Sequence, residues 1–156
     1  MEIERKFLLE NLPLNIDKFK SSKIEQAYIS YEPEIRIRKK NNKYYLTKKS
    51  KGNLVREEIE KEINEDFYNL LKENYIENNV IQKTRYYIPL SGKITAEIDV
   101  FEGVLESLKT VEVEFCSEED AKNFEIPNWF GEEITYNKEY KNAYLSKLNN
   151  SFEKTK

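Results

Sequence analysis

At 156 residues the chain suits one domain, and its acids and bases, 35% of all residues, nearly cancel to a net charge of −3. It has no histidine and one cysteine, which excludes an internal disulfide, histidine-dependent triads and the usual zinc, iron–sulfur and haem sites. Any metal must therefore sit on oxygen ligands, the preference of hard cations such as Mg²⁺ or Mn²⁺.

In chain order, period-2 alternation predicts strands over 2–9, 25–31, 34–40, 43–49 and 54–63, broken by the turn residues Glu32-Pro33, Asn41-Asn42 and Ser50 to Asn53. A helix is expected over 65–75, capped by Asn64, with Phe67, Leu70, Leu71 and Asn74 along one side. Strands follow over 80–88, 93–101 and 109–116, then helices over 117–124, where Ser117 and Asp120 form a variant capping box, and over 138–148. The expected fold class is mainly β (α+β), an eight-stranded antiparallel barrel covered outside by about three helices. One domain spans 1–148, and 149–156 form a polar tail. No apolar run reaches the roughly 20 residues of a membrane span and no signal-peptide core stands at the N-terminus, so a cytoplasmic protein is expected. The balanced charge argues against nucleic acid as a partner, and the oligomeric state is left open.

The strands share a peculiarity. Glu2, Glu4 and Lys6 alternate with Ile3 and Phe7; Arg36 and Arg38 alternate with Ile35 and Ile37. Lys48 stands in phase with Leu46; Glu58 and Glu60 flank Ile59, Lys83 and Arg85 flank Thr84, Glu97 and Asp99 flank Ile98, and Glu112 and Glu114 flank Val113. An ordinary solvated sheet face accounts for any one strand. Repeated on seven, and almost purely Glu, Asp, Arg and Lys, the pattern implies a barrel whose apolar faces point outward under helices and whose charged faces line a tunnel. An eight-stranded barrel holds one small ligand. Arginine and lysine in such a lumen suit phosphate oxygens, and clustered carboxylates need a hard cation between them. A linear polyanion threaded between bases and metal-binding acids fits this set.

These motifs resemble the CYTH-domain proteins, also called triphosphate tunnel metalloenzymes. EIERK matches the ExExK signature, and RIR, TKK, REEIE, KTRYYI, EIDVFEG, VEVEF and WFGEEITYNKEYKNAYL follow in the family's order across residues 2–148. The resemblance implies a tunnel fold and divalent-metal-dependent hydrolysis of a triphosphate. By position, Glu2, Glu4, Glu112 and Glu114 match metal ligands, with Asp99 and Glu97 near a second ion. Lys6, Arg36, Arg38, Lys48, Lys83, Arg85 and Lys138 match the phosphate clamp. Glu58 and Glu60, with Lys6, match catalytic positions, where the two acids would orient the attacking water or hold the second ion.

The bare domain is similar to short bacterial members, which implies inorganic tripolyphosphate as substrate and one or two Mg²⁺ or Mn²⁺ ions as cofactor. Two alternatives stay open: a nucleotide-directed enzyme (nucleoside triphosphatase, thiamine triphosphatase, RNA 5′-triphosphatase or adenylyl cyclase), and a polyphosphate-binding module without turnover. Simpler roles are expected elsewhere. Trp129 and Phe130 read as loop packing, Cys116 as a buried filler, and Lys39, Lys40, Lys49 and Lys51 as solvated hairpin ends able to steer a polyanion.

Overall fold

A computed structural model of the chain describes residues 1–75 and 80–146; the expected tail over 149–156 lies outside the described residues. The strands are β1 (Glu2–Leu8), β2 (Lys20–Tyr31), β3 (Glu34–Lys40), β4 (Lys43–Lys49), β5 (Val55–Arg56), β6 (Glu58–Ile63), β7 (Ile81–Pro89), β8 (Thr95–Phe101) and β9 (Lys109–Glu114). They form one antiparallel sheet in the order β5-β1-β9-β8-β7-β2-β3-β4-β6. The two ends of that order are consecutive in the chain, so the sheet curls into a nearly closed barrel. Nine strands replace the expected eight because the 54–63 segment changes partners at Glu57: β5 pairs with β1, and β6 pairs with β4.

β5 is too short to cover the whole edge of β1. The rest of that edge takes residues 131–134, with Gly131 N–H donating to Leu8 O, Leu8 N–H to Glu132 O and Ile134 N–H to Lys6 O. Gly131 is needed there, because a Cβ would stand 2.5 Å from Leu8 O. Arg5, on the outer face, fastens the same segment through a bidentate pair with Glu133 (2.8 and 2.6 Å), and it also donates to Ala121 O.

Alternation sends aliphatic and aromatic residues outward. Ile3, Phe7, Ile98, Val111, Val113 and Phe115 form the largest apolar cluster, each full burial being worth roughly 1.5–3 kcal/mol. It is covered by α2 (Glu118–Lys122) through Ala121 and by the Trp129-Phe130 pair, whose rings meet edge to face at 4.6 Å. Ser117 caps α2, its Oγ accepting from Asp120 N–H.

A second outer cluster packs Ala27, Ile37 and Leu46 beneath α1 (Glu65–Asn74), which Asn64 caps through Phe67 N–H. The helix is rotated from its expected face: Tyr68 and Leu71 go inward, whereas Phe67 and Leu70 remain exposed. Polar contacts set that rotation, because Tyr68 Oη and Lys72 Nζ both donate to Glu25 on β2, and the Tyr68 ring packs on Tyr44.

The expected helix over 138–148 resolves into a 3₁₀ turn at Lys138–Tyr140 and a helical stretch over 142–146, with 147 and 148 outside the described residues. Leu145 packs with Ile81, Phe101 and Leu105. Ile81 stands opposite Gln26, and Phe101 opposite Lys83; directly opposed residues share a face, so this third cluster lies inside the barrel. Cys116 is exposed rather than buried, because β9 ends at Glu114 and leaves it beyond the packed face.

Candidate active site

The inner face encloses a cavity of about 220 Å³ lined almost wholly by charged and polar groups. One wall is acidic. β1 contributes Glu2, Glu4 and Lys6, and its pairing with β9 sets Glu4 beside Glu114 and Lys6 beside Glu112. β8 adds Glu97, paired with Glu112. Burial, then the charges of Glu112 and Glu2, push the Glu4 carboxyl up to about 8. Burial likewise raises Glu97 and Glu114, whose neighbouring carboxylates add to it. Glu112 stays low despite its burial, because Lys6, 3.7 Å away, and Arg85 offset it.

The facing wall is basic. Arg36 and Arg38 come from β3 and Arg85 from β7. Burial and the like charges of Arg36 and Arg85 pull Arg38 below the usual guanidinium range, although Glu60 opposes them. Among the described residues the Nε groups of Arg36 and Arg38 have no hydrogen-bond partner.

Most expected site residues converge here: Glu2, Glu4, Lys6, Arg36, Arg38, Glu58, Glu60, Arg85, Glu97, Glu112 and Glu114 all line the cavity. Glu60 is committed to the basic wall, accepting from Arg38 Nη2 (3.0 Å) and Thr47 Oγ1 (2.9 Å). Glu58 is held above the usual carboxyl range by burial and by its hydrogen bond with Glu2. Lys6 Nζ donates to Tyr140 O at 2.6 Å, which ties the 134–143 segment to the tunnel.

Four residues depart from expectation. Lys48 points outward and is exposed, opposite Ile35 and Ile59. The turn explains the difference: Lys40 pairs with Lys43 across Asn41-Asn42, so Arg36 faces Thr47, and the lumen lysine is Lys49, expected to be a solvated hairpin end. Its Nζ donates to Glu2 at 3.0 Å. Lys138 is exposed in the 3₁₀ turn, and Lys141 lines the cavity in its place, donating to Gly52 O. Asp99 does not join the open carboxylates. It is fully buried and takes Arg85 in a bidentate pair (2.7 and 2.9 Å) and Lys83 at 2.8 Å. Burial would raise its carboxyl, but the two cations hold it well below the usual range. Lys83 is accordingly buried behind the cavity wall, its ammonium pulled down to about 7 chiefly by burial.

Alternation on single strands also missed Glu34 and Arg56, paired at 2.8 Å, and Tyr28, all lining the cavity. Glu34 was within reach of alternation, since it shares the phase of Arg36, whereas Arg56 and Tyr28 show only through pairing, opposite Glu2 and Arg36.

A family model for the CYTH domain matches residues 1–152. The chain is 39% identical over 148 residues to an inorganic triphosphatase of Nitrosomonas europaea, covering 93% of this chain and 96% of the relative. It is 35% identical over 153 residues to an inorganic triphosphatase of Acetivibrio thermocellus, covering 94% and 93%. The crystal structure of an inorganic triphosphatase superposes with a TM-score of 0.70 at 37% identity, covering 94% of each chain. The acidic wall built by ExExK and VEVEF, the facing arginines and the barrel that closes around them belong together: the chain is a member of the CYTH domain family.

Proposed function

We propose that the protein hydrolyses inorganic triphosphate to pyrophosphate and phosphate inside the barrel. Two charged clusters facing each other across one small cavity carry this reading: Arg38 is crowded by Arg36 and Arg85 on one wall and Glu4 by Glu2 and Glu112 on the other, each only partly offset by ion pairs. Crowded charges of one sign call for a counter-charge. A linear polyphosphate supplies it to the bases, and a divalent cation supplies it to the acids. Inorganic triphosphatase relatives over nearly the whole chain support the substrate class.

Arg36, Arg38 and Arg85 grip phosphate oxygens, the guanidinium fork matching two oxygens at once. Lys6 and Lys49 add point charges, and Lys141 and Arg56 extend the basic lining. Glu60 and Asp99 act through these cations, fixing Arg38 and Arg85 in place before substrate arrives. Such preorganised charge is the main catalytic resource in phosphoryl transfer.

The donor set fits a hard cation. Glu2, Glu4, Glu112 and Glu114 offer only oxygen, and the raised pKa of Glu4 means that a proton now does the work of a counter-ion. Among the described residues no three such groups are already gathered around one point, so binding requires these side chains to swing inward. A bound Mg²⁺ or Mn²⁺ ion supplies charge neutralisation and activation of the attacking water. Glu58, which already shares a proton with Glu2, orients the attacking water, whose own proton passes to solvent.

The decisive experiment is phosphate release from inorganic triphosphate, ATP, thiamine triphosphate and long-chain polyphosphate, each with Mg²⁺, Mn²⁺ or chelator. Metal-dependent release with triphosphate preferred is expected. Preference for ATP would favour a nucleotide-directed enzyme, and saturable binding without release under any metal would overturn hydrolysis.

A further inference from the structure

Gln26 lies on the inner face of the barrel, next to Arg38 of the cavity's basic wall. On β2 it stands opposite Arg38 of β3 and Ile81 of β7, so its side chain occupies the inner face, while its neighbour Ala27 belongs to the outer cluster under α1. Its relative exposure is 0%, and neither Nε2 nor Oε1 has a hydrogen-bond partner among the described residues. A buried amide with both ends unpaired is costly and rare. The Nε atoms of Arg36 and Arg38 on the adjoining strand are orphaned too, and Arg38, directly opposite Gln26, lines the cavity, so the unpaired amide adjoins unpaired donors of the basic wall.

We infer that Gln26 is a substrate-binding residue: Nε2 donates to a phosphate oxygen alongside Arg38, and Oε1 accepts from a phosphate hydroxyl or from the water that accompanies it. This rests on the triphosphatase reading and deepens it. A neutral amide serves this place because a further cation beside Arg36, Arg38 and Arg85 would add to the repulsion that already lowers Arg38.

The test is Gln26→Leu, which keeps the volume and removes both polar ends. Two quantities are measured: thermal stability of the metal-free protein, and calorimetric affinity for inorganic triphosphate with chelator present, where nothing turns over. Stability unchanged or higher, with triphosphate affinity about tenfold or more weaker, is expected from the loss of a hydrogen bond to a charged group. Lower stability with unchanged affinity would overturn the proposal and make Gln26 a structural residue satisfied by water. Should Gln26→Leu fail to fold, Gln26→Asn keeps the amide but withdraws it, and the same affinity comparison decides. Wild-type protein that binds triphosphate but releases no phosphate with metal would count against hydrolysis alone, because the binding comparison does not depend on turnover.

Discussion

Asp99→Asn separates two roles that predict opposite signs. In the structure its carboxylate holds Arg85 through two bonds and Lys83 through a third, all three residues being at least nine-tenths buried. Asparagine keeps the shape and removes the charge, leaving two cations facing a neutral amide. Lys83, already pulled down to about 7, can escape by shedding its proton; Arg85 cannot. Removing one partner of a buried pair costs about 3–5 kcal/mol, a large share of the roughly 5–15 kcal/mol that holds a domain folded. At about 2–4 °C per kcal/mol for a chain of this length, the melting temperature of metal-free protein should fall by about 10 °C. Calorimetry or far-ultraviolet circular dichroism reads this directly. Adding Lys83→Met should restore part of the loss, since one excess cation is then gone. A metal-ligand role predicts the reverse: removing a carboxylate from a repelling cluster leaves metal-free stability unchanged or higher while metal affinity drops. That result would refute the buried-triad argument.

Three more expectations follow from the site. Because the folded pKa of Glu4 is raised from 4.5 to about 8, its contribution to stability is fully present below pH 4.5 and is lost as pH rises through 8, on the order of a few kcal/mol; Glu4→Gln should flatten that decline in metal-free melts and abolish metal-dependent turnover, and an unaltered pH profile would remove Glu4 from the repelling cluster. Lys49→Ala should cut kcat/KM at least tenfold, whereas Lys48→Ala should leave it within twofold, since only Lys49 points inward; the opposite ranking in steady-state kinetics would contradict the β3–β4 register. Glu60→Gln should loosen Arg38 and raise KM for triphosphate several-fold with little change in melting temperature, because Glu60 is partly exposed.

Much of the site was legible because charge alternation is a local signal. Glu2, Glu4, Lys6, Arg36, Arg38, Arg85, Glu112 and Glu114 declare their face through their neighbours, and strands of period 2 must sort them to one side. Lys48 misled because YYLTKK carries adjacent lysines and no clean alternation, so its phase is set only across the Asn41-Asn42 turn. Lys138 and Lys141 lie outside regular strands, where no periodicity assigns a face. The rotation of α1 escaped for a related reason: Phe67 and Leu70 are the more apolar choice, but Glu25 on another strand selects Tyr68 and Lys72.

By itself, the sequence determined that this protein has a charged inner face, an apolar outer face and a chemistry without histidine, since those follow from residue types and their spacing. Tertiary structure alone decided which charges meet. Glu2 and Glu4 gain Glu112 and Glu114 only because the first and last strands pair, and Asp99 is a partner of cations only because β7 lies beside β8. Electrostatic energy depends on distance and burial, and neither is a property of position along the chain.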